Sequence, residues 1–342
     1  MKTQEIKENK HQRCFAGTCF AVTALSPILL SFLLAGGASA QEKGGSVPTN
    51  PATNSPSFQP EAALGLRPRP HQISASADYL LGQGDVTMPF FYSLALASPE
   101  AAANFGPLRT ANSNPRQSDY YGLTLSYSLN SKWSFDFSYS RGDSSGGAEV
   151  PFPAAPDPRL TQSKFSIQDN WYQAYVRYNL RNLGTRKLAA YLRAGVSFVQ
   201  ADLADDASFP PPYGIYRQTD RSQDILGNLG FGLSYALYSG TRLRVGLQFE
   251  GEGFYGHRSQ ESQENFMNFV VGPTAKIDND LYGGIGRMTL RFQYELGETG
   301  YWKLYSDVGM QVRYTLINYA EVGTPSELLW GPYVKLGIRY SF

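Results

Sequence analysis

The chain reads as all-β: a membrane-spanning antiparallel up-and-down β-barrel of about ten strands, with eight or twelve open if a long connection hides a hairpin. Three observations carry this reading. Apolar and polar residues alternate with period two through ten segments. The connections between those segments are short and long in turn. Within each segment the charges keep to one face, and the other face is apolar. A charge facing lipid at mid-depth costs about 2–4 kcal/mol, so such sorting is expected where lipid is the solvent. A soluble lipocalin-like barrel would turn its charges outward instead.

Residues 1–40 read as a cleaved signal peptide. Lys2, Lys7, Lys10 and Arg13 form a basic start, residues 15–34 are mostly apolar, and Ala38-Ser39-Ala40 is a small-x-small cleavage site. Pro27 interrupts the apolar run, which argues against an uncleaved anchor. Cys14 and Cys19 both lie in this leader, so the expected mature chain has no thiol, disulfide or cysteine metal site. Cleavage removes four of the 30 Lys+Arg and two of the 29 Asp+Glu, leaving 26 against 27 and a net charge of −1. A near-neutral chain offers no electrostatic case for binding nucleic acid. Residues 41–71 are rich in Pro, Gly, Ser, Asn and Thr and read as a disordered periplasmic linker. The barrel then occupies residues 72–342.

The strands are expected at residues 73–81, 121–129, 133–140, 171–180, 188–199, 225–238, 243–251, 287–296, 302–316 and 331–342. Residues 121–129 set Tyr121, Leu123, Leu125, Tyr127 and Leu129 against Gly122, Thr124, Ser126 and Ser128. Asn130-Ser131-Lys132 then turns the chain. Short connections follow the even strands, at 130–132, 181–187, 239–242 and 297–301. Long ones follow the odd strands, at about 82–120, 140–170, 200–224, 252–286 and 317–331. Short periplasmic turns with long external loops are the outer-membrane pattern. Outward Tyr127, Trp133, Tyr178, Tyr235, Tyr294, Trp302, Tyr340 and Phe342 cluster near the short turns, as an interfacial aromatic girdle does.

The same register turns Arg177, Arg193, Arg244, Glu250, Arg287, Arg291, Glu295, Lys303, Asp307, Arg313, Lys335 and Arg339 into the lumen, with Asp78 and Asp136. A barrel of about ten strands is narrow. Buried charges need partners, so a salt-bridged plug is the expected filling. If water passes instead, the excess of cations favours anions.

The last strand, GPYVKLGIRYSF, points Val334, Leu336, Ile338, Tyr340 and Phe342 one way and Lys335, Gly337, Arg339 and Ser341 the other. It resembles the C-terminal strand of bacterial outer-membrane β-barrels, whose assembly machinery reads a terminal aromatic preceded by alternate apolar residues. The resemblance implies that Tyr340 and Phe342 form the assembly signal. It also implies outer-membrane location, with barrel-assembly machinery, periplasmic chaperones, membrane lipid and lipopolysaccharide as partners.

Catalytic material is sparse. No metal cluster, phosphate loop or nucleotide motif is present in the sequence, and no cofactor is expected. Omptin-like proteases need an Asp-His couple, and no Asp-x-His occurs. His257-Arg258-Ser259 resembles the His-x-Ser pair of outer-membrane phospholipases and lipid A deacylases. That resemblance implies His257 as general base to a Ser259 nucleophile, with Glu264, Asn265 or Asn268 as the orienting group. Gln260 stands where those families usually carry Asn. The expected role is therefore non-enzymatic and at the surface: structure, adhesion, recognition through loops, or tethering. A narrow anion-favouring channel is the alternative, and a surface lipid hydrolase the third reading.

Overall fold

The structure is a computed structural model and describes residues 71–89, 110–149, 162–180, 187–208, 215–266, 269–270, 274–297, 300–318 and 326–342. The expected leader and linker residues 1–70 lie outside them. Eleven strands occur in chain order: β1 Gln72–Pro89, β2 Thr110–Ser128, β3 Trp133–Glu149, β4 Gln162–Asn179, β5 Leu188–Ser208, β6 Ile215–Ser239, β7 Leu243–Phe266, β8 Phe269–Val270, β9 Ala275–Leu296, β10 Trp302–Asn318 and β11 Ser326–Ser341. Every neighbouring pair is antiparallel, and β1 pairs with β11 from Gln72↔Ser341 to Val86↔Glu327. The sheet therefore closes on itself, which removes its edges. Strand β8 is two residues at the tip of β7. The other ten make the barrel, so the chain is a closed ten-stranded antiparallel β-barrel.

The turns follow from their residues. Asn130 Oδ1 accepts hydrogen bonds from the backbone N–H of Lys132 (2.8 Å) and Trp133 (2.9 Å), closing the β2–β3 connection. Gly297 and Gly300 both have positive φ, 72° and 64°, between β9 and β10. A residue with a Cβ would be strained there.

Outside, the alternate residues are apolar and exposed. Leu123, Val196, Ile225, Leu229 and Leu336 are each at least 60% accessible, which only a lipid-facing position makes favourable. Trp133 and Tyr178 pack at 4.7 Å between ring centroids, and Trp302 and Tyr340 at 4.5 Å, at the short-turn end. A second aromatic belt, with Tyr139, Tyr172 and Phe198 at 5.2 and 6.3 Å, lies further along the strands. On β11 the two belts are marked by Tyr340 and Trp330, ten residues apart. Ten residues at about 3.3 Å each, tilted about 40°, span roughly 25 Å of bilayer.

The strands are much longer than that. A membrane-crossing strand needs about 9–11 residues, whereas β6 has 25 and β7 has 24. The expected long loops 200–224 and 252–286 are thus largely strand. The barrel wall continues past the second belt at the long-loop end. There both faces are polar: Asp202, Asp206, Arg217, Arg221, Glu261, Lys276, Asp278 and Asp280 point outward. Water bathes this part of the wall, so the apolar alternation that marks a lipid-facing strand is absent and the strands read as loops.

Candidate functional site

Charged side chains on the inward faces of the strands meet in the interior, and many of them pair. Arg291 and Asp307 are cross-strand neighbours on β9 and β10. Their two parallel hydrogen bonds, Nε–Oδ1 and Nη2–Oδ2, are 2.6 Å each. Arg177 donates to Asp136 at 2.6 Å. Arg244 Nη1 and Lys303 Nζ share Glu295 Oε1 at 2.7 and 2.9 Å. Glu250 accepts from Tyr191 Oη at 2.6 Å and lies 3.4 Å from Arg287. Arg193 pairs with Glu252, which also accepts from Tyr175 Oη at 2.8 Å. Tyr175 is on β4 and Glu252 on β7, so this contact crosses the lumen. Glu252 was not among the expected residues, because strand seven was expected to end at Gly251.

Above these charges lies a layer that the charge pattern did not announce. Trp171, Val199, Leu226, Phe254, Ile277, Leu281 and Ile317 face inward and form a buried apolar cluster. Leu80, Tyr120, Leu329 and Tyr333 form a second. Trp171 and Phe254 meet edge-to-face at 6.2 Å across the barrel. Strand β3 contributes Gly142 at this level. A Cβ there would sit 2.1 Å from the Tyr120 ring and 2.2 Å from Asp169 Oδ1. Glycine is what admits the Tyr120 ring. Arg313 lies against this layer rather than among the lower pairs. Its guanidinium is 4.7 Å from the Tyr120 ring centroid and 5.0 Å from that of Trp171, and 3.5 Å from Asp169.

The outer end of the lumen is polar again. Arg116 pairs with Glu327 at 3.1 Å, and Arg258 holds Asp224 through two bonds of 2.8 Å. Burial raises the Glu327 carboxyl, but Arg116, Arg258 and Arg313 outweigh it and hold the group below the usual range. Asp220 behaves oppositely. Burial pushes it up to about 6 and nearby Glu264 adds to this, against Ser262, Gln218 and Arg258. Gln218 Nε2 donates to Asp220 at 2.8 Å. A carboxyl raised in the folded state stabilises fully below its unfolded pKa and loses that contribution as pH rises through about 6. Two units correspond to about 3 kcal/mol. Asp220→Asn should therefore gain stability over the parent between pH 4 and pH 7, by up to about 3 kcal/mol in urea titrations at the two pH values. A pH-independent difference would show that Asp220 does not titrate there.

His257 and Ser259 lie on the outward face of β7, above the second aromatic belt. Asp280 and Asp278 of β9 are their register partners. His257 Nε2 is 3.6 Å from Asp278, and Nδ1 is 3.9 Å from Asp280. Neither Glu264 nor Asn265 lies beside His257. Glu264 is buried on the inward face, Asn265 is eight residues further along β7, and Asn268 lies outside the described residues. Two carboxylates of the adjacent strand stand in their place, which only pairing β7 with β9 could reveal. Among the described residues no group of three or more His, Cys, Asp or Glu side chains is arranged to hold a metal ion.

No protein-family model matches the chain, and no curated protein matches it. Solved structures similar to it are bacterial outer-membrane barrels. The outer membrane protease OmpT from Escherichia coli is 12% identical, with 79% of this chain and 97% of that one covered and a TM-score of 0.48. The translocator domain of the autotransporter NalP from Neisseria meningitidis is 10% identical, with 96% and 100% covered and a TM-score of 0.39. The β domain of the Bordetella autotransporter BrkA is 11% identical, with 80% and 100% covered and a TM-score of 0.40.

Proposed function

We propose that this is an outer-membrane barrel with a stoppered lumen, whose work is done non-enzymatically at its outer surface. The filling of the lumen carries this reading. Beside the two apolar clusters lie interior cavities of about 60 and 80 Å³. At about 30 Å³ per water, these hold a few waters each and make no pore. What the molecule presents is its outer wall, where Arg217–Asp206 (2.7 Å) and Lys276–Glu261 (3.2 Å) form exposed ion pairs. Membrane lipid and lipopolysaccharide surround the apolar band, and Tyr340 and Phe342 serve assembly. Conductance of the refolded protein in planar bilayers tests the stopper: no steady conductance is expected, and a stable open level overturns the reading. Ser145 projects from the outer wall and Ser131 sits in a short turn. An impermeant thiol reagent on intact cells should label Ser145→Cys and not Ser131→Cys; the reverse inverts the topology.

A second reading is carried by His257, whose two ring nitrogens face Asp278 and Asp280 while Ser259 stands two residues on, on the same face. In it, one of Asp278 and Asp280 orients His257, whose other ring nitrogen takes the proton of Ser259 as the hydroxyl attacks a lipid ester; the C–O bond to the alcohol breaks, the alcohol leaves with that proton, and water then releases the fatty acid from Ser259. Release of fatty acid from phospholipid or lipopolysaccharide vesicles, lost in Ser259→Ala and in His257→Ala, supports it. Equal release by the parent and both variants removes it.

A further inference from the structure

The short-turn half of the lumen carries more positive charge than its carboxylates balance. Five cations line its cavity of about 60 Å³: Arg177, Arg287, Arg291, Lys335 and Arg339. Three carboxylates line it, and each already faces an arginine: Asp136 with Arg177, Glu250 with Arg287, Asp307 with Arg291. Lys335 and Arg339 remain, four residues apart on the inward face of β11. Neither forms an ion pair with a described carboxylate. Asp78 and Asp307 are the register partners of Lys335 across β1–β11 and β10–β11, yet neither closes into an ion pair with it.

Arg339 is the sharper case, because its residue is only 8% accessible. Its guanidinium stacks on the Tyr305 ring at 5.2 Å, and the guanidinium of Arg291 lies 5.0 Å from the same ring. The charged groups acting on Arg339 include the cations Arg291 and Arg177 as well as Asp307. A buried cation among other cations is costly unless something negative compensates it. Hydrogen-bond donors point the same way. Gln248 Nε2 and Arg177 Nε are buried without a partner, against a single such acceptor of this lining, Asp136 Oδ1. Ser74 and Thr124 line the same space and can donate from their hydroxyls.

We propose that this cavity is a binding site for one small inorganic anion of the halide class, held by Arg339 and Lys335. The chemistry is that of a cationic, donor-rich pocket, with the apolar layer between it and the outer end of the lumen. The cavity of about 60 Å³ has room for a halide. The anion compensates the surplus of buried positive charge, so it binds the folded barrel and not the unfolded chain. Folding stability must then rise with anion concentration. The site is independent of the role assigned to the outer wall.

The test uses the refolded full chain in lipid vesicles. Urea unfolding is followed in sodium chloride and in sodium gluconate at equal ionic strength. The midpoint should rise with chloride and saturate, and should not rise with gluconate. Arg339→Gln and Lys335→Gln should each abolish the chloride dependence, while Arg258→Gln, at the far end of the lumen, should keep it. Equal midpoints in the two salts, or chloride dependence unchanged in Arg339→Gln, overturn the proposal. Should the β11 variants fail to fold, crystals of the parent protein grown in bromide decide. An anomalous peak at the Arg339 guanidinium is expected, and its absence overturns the site.

Discussion

Arg291→Leu should destabilise the barrel by about 3–5 kcal/mol, measured by urea unfolding in lipid vesicles. Arg291 and Asp307 meet through two charge-assisted hydrogen bonds of 2.6 Å, with side chains 10% and 5% accessible. The pair itself contributes little net energy, since both groups lost their hydration to form it. Removing one partner is what costs, because Asp307 then loses both of those hydrogen bonds in a buried site and keeps only the unbonded cations Lys335 and Arg339 nearby. The double variant Arg291→Leu with Asp307→Leu should therefore recover much of the loss. An open, wet lumen would solvate the stranded Asp307, and the single variant would then lose less than about 1 kcal/mol, as exposed pairs do. That result would remove the stopper along with the pairing.

Leu290→Arg should cost about 2–4 kcal/mol in the same assay. Leu290 is the chain neighbour of Arg291 and points the other way, since side chains alternate along a strand. It is 39% accessible, and its register partners are Val308 on β10 and Leu247 on β7. Tyr294 of the lower aromatic belt is four residues away, which puts Leu290 near the middle of the apolar band. An arginine there must stay in hydrocarbon or distort the bilayer to reach water. Leu290→Ala is the control, because it removes contact area without adding charge. Equal cost for the two substitutions would mean that the outward face does not meet lipid, and the membrane-spanning register would fall with it.

These neighbours, opposite in solvent and one residue apart, show what could be read from the chain alone. Where lipid lies outside, a strand must be apolar at every second position, and the lumen takes the charges. That constraint is local, so period two exposed the ten strands, their facing and both ends of each short turn. It also placed Arg177, Arg291 and Arg339 inward before any partner was known. Beyond the aromatic belt the constraint lapses. Water touches the outer wall at Asp202, Asp206, Glu261, Lys276, Asp278 and Asp280, both faces become polar, and the strand signal vanishes although the hydrogen-bonded ladder continues through these positions.

The period of a strand says which face a residue takes, but not what it meets there. Partners inside a closed barrel are set by ring closure and by the stagger of the strands, which no single segment encodes. Only the closed structure brought Tyr175 to Glu252 and Arg313 to Asp169, across 77 and 144 residues of chain. It also placed Trp171, Phe254 and Leu281 against one another as a stopper, although each sits singly among polar inward neighbours. By itself the sequence determined the barrel, its lipid face and its inward charges. The tertiary structure decided which charges are paired and that Lys335 and Arg339 line one small cavity, because pairing between distant strands depends on geometry that only closure fixes.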